Sequence, residues 1–128
     1  MEFYTYNLKE FSPSVELAEA MLLIEIENAK KSKTKGIKFI HGYGSHNVGG
    51  SICLHLKSLL PRLKKQGKIK DFIPGIDWNM AHQTTFNFIK SCPSASLDED
   101  LNHFNIGVSI VILWNKNLFL FRFNLPIF

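Results

Sequence analysis

Apolar residues recur along this chain with two different periods, and the changes of period mark its elements. Residues 2 to 8, "EFYTYNL", set Phe3 and Thr5 against Tyr4, Tyr6 and Leu8, an alternation that predicts a short strand with two usable faces. "FSPS" then signals a helix start, with Ser12 as N-cap and Pro13 at the first helical position, where a missing N–H has no helical acceptor to lose. From Val15 to about Lys31 the period lengthens. Val15, Ala18, Leu22, Ile26 and Ala29 share one helical stripe, with Glu16 and Glu19 early and Lys30 and Lys31 late, as the helix dipole favours. Gly36 closes the connection to a second strand, Ile37 to Ile40.

A second helix is predicted from about Gly49 to Gln66 on the stripe Ile52, Leu56, Leu59 and Leu63. Pro61 interrupts it by removing one backbone bond, which predicts a kink or an early end. "QGKIKDFIPG" reads as a stop at Gly67, a third strand at Ile69 to Ile73 and a turn at Pro74-Gly75. Met80 to Ser91 has room for a helix carrying Phe86, Phe88 and Ile89, and the irregular "CPSASLDEDLNHFN" follows. "GVSIVILW", residues 107 to 114, is a buried strand. In the closing "NKNLFLFRFNLPIF", Phe119, Phe121 and Phe123 line one face of a further strand or of a dimer contact.

This order, β-α-β-α-β, a helical insertion and a last core strand, implies an α/β (α+β) domain with helices packed on one sheet. Each long helix has one apolar stripe, so the expectation is a two-layer sandwich. The 128 residues fit a single domain, with a core at about 2–114 and an apolar extension at 115–128. Cys53 and Cys92 stand far apart and Met1 to Leu8 has no long apolar core, which points to reduced thiols and a cytoplasmic setting. No apolar run reaches the roughly 18 residues of a bilayer span, so no membrane partner is expected.

Charge changes the picture more than composition does. Net charge is +4, yet from Asn28 to Lys70 there is no acid, and eleven of the fifteen basic side chains lie in that stretch. Such a block attracts a polyanion, or else forms an ordinary solvated face. Within it, "IKFIHGYGSHNVGGSI" runs from a strand through His41, Gly42, Gly44, Ser45, Gly49 and Gly50 into a helix. Glycines permit close backbone approach, and the free N–H groups of a helix start carry positive potential, so an anion is well received there.

Several familiar sites are excluded. The Gly-Lys-Ser/Thr of a nucleotide-triphosphate loop is missing, no acid follows within about twenty residues to hold a ribose, and Ser45 sits in no Gly-x-Ser-x-Gly elbow. Cys53 and His55, two apart on a helix, point about 200° away from each other, which argues against zinc. Asp98, Glu99, Asp100 and His103 read as a solvated loop. His41 has two readings: a general acid, base or phosphate donor, or a histidine satisfied by backbone at a strand end.

"FIHGYGSHNVGGSICLHLKSLLPRLKKQGKIKDFIPG", residues 39 to 75, resembles the Smr (small MutS-related) domain, whose hallmark is a strand ending in His-Gly-x-Gly before a helix. "NIGVSIVIL", residues 105 to 113, is similar to that family's closing strand, and the 7 to 113 span resembles stand-alone bacterial Smr-like proteins. The resemblance implies a β-α-β-α-β-β mixed-sheet fold similar to the C-terminal domain of translation initiation factor three. It implies DNA or RNA as partner, with His41, Gly42, Gly44, Ser45, Gly49 and Gly50 as motif residues. Many members carry Leu-Asp-x-His-Gly on the first strand; here that place reads Asn7-Leu8-Lys9-Glu10-Phe11.

The leading expectation is therefore a nucleic-acid-binding module. Its His41–Gly50 loop holds a phosphate, and Lys57, Lys64, Lys65, Lys68 and Lys70 extend the contact. The alternatives are a nicking endonuclease with His41 as catalytic residue and Mg²⁺ or Mn²⁺ as its cation, and a protein-interaction module. No cofactor is implied outside the nuclease reading, and a homodimer through residues 115–128 is the oligomer considered.

Overall fold

The computed structural model describes residues 1–43 and 47–114. Four strands and three α-helices follow in the expected order: β1 (Phe3–Asn7), α1 (Val15–Lys31), β2 (Gly36–Ile40), α2 (Asn47–Lys65), β3 (Asp71–Pro74), α3 (Gln83–Ser91) and β4 (Val108–Ile112). Short 3₁₀ turns at Gly75–Asp77 and Pro93–Leu97 flank α3. The strands form one mixed sheet in the order β1-β2-β4-β3. β1 and β2 run parallel, with Tyr4 opposite Ile37 and Tyr6 opposite Phe39, while β4 is antiparallel to both its neighbours. The strand and dimer contact expected from residues 115–128 lie outside the described residues. No helix among the described residues is long and apolar enough to cross a membrane.

Local chemistry shifts three boundaries. Ser14, not Ser12, caps α1: its backbone is extended and its Oγ accepts from Leu17 N at 3.1 Å. Ser12 instead has φ +48° and closes a turn back to Lys9 O, which places Pro13 before the helix rather than in it. α2 begins at Asn47, so Gly49 and Gly50 belong to its first turn, and it continues past Pro61 to Lys65 rather than ending early. The acceptor that Pro61 leaves without its helical donor, the Lys57 carbonyl, belongs to an exposed residue. β3 starts two residues later than its apolar run, with Ile69 buried ahead of it.

The two-layer expectation is corrected. Ile37, Phe39, Val111 and Leu113 pack with Leu22, Ile26, Leu56, Leu59 and Leu63 of α1 and α2. The alternate strand residues Ile73, Ile110 and Ile112 pack on the other side with Trp78, Phe88, Ile89, Cys92 and Ala95. Successive strand side chains point to opposite faces, so these two clusters are two layers separated by the sheet. The 75–101 segment thus covers the face that a two-layer fold would leave to water. β4 is buried at every position, as a strand covered on both sides requires.

That second layer holds an ion network. Lys38, 1 % exposed, projects from β2 into it, and its Nζ lies 2.7 Å from Asp98 Oδ1 and 2.6 Å from Asp100 Oδ2. The acids are themselves anchored. Asp98 Oδ2 accepts from Trp78 Nε1 at 2.9 Å, and Asp100 Oδ1 accepts from Asn105 Nδ2 at 3.0 Å. Asp98 and Asp100 are therefore not a solvated loop; they neutralise a buried cation. Burial alone would lower the Lys38 pKa, but hydrogen bonds and charge from Asp100 and Asp98 outweigh it and raise the value above that of ordinary lysine.

Candidate functional site

β2 ends where its last ladder bonds give way to a pin. His41 N and Gly42 N both donate to Gly107 O, at 2.9 and 3.0 Å, and Gly42 turns the chain with φ +74°. The His41 ring is 2 % exposed and both its nitrogens are engaged. Nδ1 lies 2.7 Å from Gly42 O, which can only accept, so Nδ1 carries the proton. In the neutral ring Nε2 then accepts from Ser109 Oγ at 2.9 Å. Burial pushes the His41 pKa below its ordinary value, against the opposing pull of the Gly42 and Val108 carbonyls.

This has a consequence for stability. A histidine whose folded pKa is depressed takes up its proton first in the unfolded chain, near pH 6.5. Above that pH the two states bind equally and His41 contributes no slope. As pH falls from 6.5 toward the folded value, stability declines. Melting temperatures between pH 7.5 and 5.5 should therefore fall more steeply for the parent than for His41→Gln; parallel curves would contradict a neutral buried ring.

Beside His41 and Ser109 lies a cavity of about 210 Å³. α2 lines it with Cys53, Leu56, Lys57 and Leu60, which fall on one helical face at spacings of three and four. Phe72 and Pro74 of β3 close another side, and Tyr43, more than half exposed, stands at its edge. Among the described residues no carboxylate lines it. Lys57 is exposed and is the one formal cation among the described residues that line the cavity.

The predicted site residues divide into groups. His41 and Lys57 come together at the cavity, and Gly42 lies between its lining residues His41 and Tyr43 in the chain. Lys64 lies on the same stripe of α2, about 10 Å farther along, and pairs with Asp71 at 3.1 Å. Lys65, Lys68 and Lys70 are exposed around the end of α2 and the approach to β3, and form no ion pair among the described residues. α2 is about 27 Å long, so these cations and Lys64 sit far from the β2–α2 turn and do not surround it. Gly44 and Ser45 lie outside the described residues.

Cys53 and His55 diverge as their spacing requires: Cys53 reaches Ile106 O at 3.9 Å, whereas His55 bonds Glu19 of α1. On the first strand, Leu8 N donates to Ile40 O at 2.8 Å, so the exposed Lys9 and Glu10 follow at the same end of the sheet as His41. Ser109 is the contributor that sequence reasoning did not select, whereas Phe72 and Tyr43 read there equally as base-stacking aromatics or as core. Ser109 left one signal, as the lone hydroxyl in the otherwise apolar "GVSIVILW".

No family model matches the chain, and no curated protein or solved structure matches it either.

Proposed function

We propose that this chain is a nucleic-acid-binding module of Smr type, holding the phosphate backbone through the start of α2 and a row of lysines along it. The observation that carries the reading is Lys57. It stands exposed at a cavity next to the β2–α2 turn that no acid among the described residues lines, with Lys64 on the same helical stripe and Lys65, Lys68 and Lys70 beyond it. The first turn of α2 contains no acid to compete with a phosphate. The β-α-β-α-β-β succession implied by the resemblance to Smr domains, and through them to the C-terminal domain of translation initiation factor three, supports the same reading.

Binding is favoured over cleavage. A nuclease needs a group free to move a proton or to meet the phosphate, and His41 is sealed with both ring nitrogens already bonded. A general phosphate contact asks only for exposed cations. Fluorescently labelled single- and double-stranded oligonucleotides, titrated at about 50 mM and 200 mM salt, should bind at the lower concentration and lose roughly tenfold or more at the higher. Absence of binding to every oligonucleotide at low salt would remove the proposal.

A further inference from the structure

We propose that the cavity between α2, β3 and the start of β4 receives one unpaired nucleobase, so that the ligand class is single-stranded nucleic acid; this rests on the reading above and specifies it. Size is the first argument. About 210 Å³ falls below the roughly 300–1,000 Å³ typical of sites for drug-sized molecules, and suits one planar ring system rather than a whole nucleotide.

The lining is the second. Leu56, Leu60 and Ile106 supply apolar walls, while Phe72 and Tyr43 offer aromatic faces. Base–aromatic stacking tolerates any base, because every base has a π-face. Charge is the third, because Lys57 places a cation at the cavity where a phosphate follows a buried base, and among the described residues no carboxylate lines it to repel that phosphate.

The buried polar atoms add a preference. Gly42 O fixes the proton on His41 Nδ1, so Ser109 spends its own proton on Nε2. Toward the cavity the Ser109 oxygen can then only accept, which fits a base edge bearing an N–H donor. A duplex cannot meet these walls without the cost of unpairing and unstacking a base.

The test uses the full chain and oligonucleotides carrying 2-aminopurine, free and annealed to a complement, at one low salt concentration. The expected result is single-strand binding about tenfold tighter than duplex binding, with a change in 2-aminopurine emission. Phe72→Ala should narrow that gap roughly fivefold or more. Because Phe72 also packs against the core, Cys53→Leu serves as a second variant that fills the cavity from a partly exposed helix position, and circular dichroism checks that both are folded. Equal affinity for both forms, or a gap that neither variant moves, would overturn the base pocket and leave the nucleic-acid reading standing. Binding of an acidic protein with no affinity for any oligonucleotide would overturn both.

Discussion

Replacing Lys38 with methionine is expected to destabilise the protein by about 3–5 kcal/mol, the range for removing one partner of a buried ion pair. The loss comes less from the missing attraction than from what remains. Asp98 and Asp100, both held in place by other donors, would face each other across an apolar layer beside Trp78 with no cation between them. Urea denaturation should show the midpoint moving while the slope stays nearly constant. A loss below about 1 kcal/mol would mean that the network is solvated and the second layer loosely packed.

The same network sets a pH window. Burial tends to raise the Asp100 pKa, but hydrogen bonds from Asn105 and Lys38 and the charge of Lys38 bring it below 3.8. Its contribution is therefore present above that value and is lost as pH falls through the folded pKa. Lys38, raised above 10.5, contributes fully below that value and loses its share as pH rises through the folded pKa. Between these limits the network is fully charged. The decline below pH 6.5 belongs to His41 instead, and Lys38→Met should leave it in place.

Gly75→Ala is the second large effect, at about 3 kcal/mol or more. A Cβ at Gly75 would lie 1.7 Å from Asn105 O and 2.7 Å from Val108 O, both backbone atoms that no rotamer change can move aside. The backbone must shift, and the shift reaches three places. Gly75 lines the cavity, Asn105 holds Asp100, and Val108 opens β4. Gly67→Ala provides the comparison: its φ of +77° costs an alanine about 1–2 kcal/mol, but nothing stands within 4 Å of the new carbon. Thermal melts should rank Gly75→Ala well below Gly67→Ala. The reverse order would contradict the packing of the 3₁₀ turn on β4.

Much of this fold is legible in the sequence because local period and global packing agree. The stripes at Val15 to Ala29 and Ile52 to Leu63 lead directly to α1 and α2, and the apolar run at 107 to 114 to β4. The second layer is hidden for a physical reason. Its wall is built from 3₁₀ turns and a nine-residue helix, which carry too few repeats to show a period. The clue lay elsewhere, in "IKFI": a lysine inside a buried strand requires a buried acid, and the densest run of acids in the chain is Asp98, Glu99 and Asp100. A cation sixty residues from its partners cannot be matched to them without knowing the topology.

The candidate site was readable in the same uneven way. The strand end at His41 and the turn at Gly42 follow from the glycine spacing. Ser109 does not, because its meeting with His41 depends on β4 lying antiparallel beside β2. The lysines were visible as a block in sequence, but α2 spreads them over its length, and one of the eleven, Lys38, turned inward.

The account depends on phosphate contact along α2, centred on Lys57, and the salt dependence of binding tests this most directly. Affinity for a single-stranded oligonucleotide should be measured from about 25 to 250 mM salt for the parent and for Lys57→Gln. The slope of log affinity against log salt is expected to become shallower by about 0.7 in the variant, one phosphate contact on a single strand. Identical slopes, or binding indifferent to salt in the parent, would contradict it.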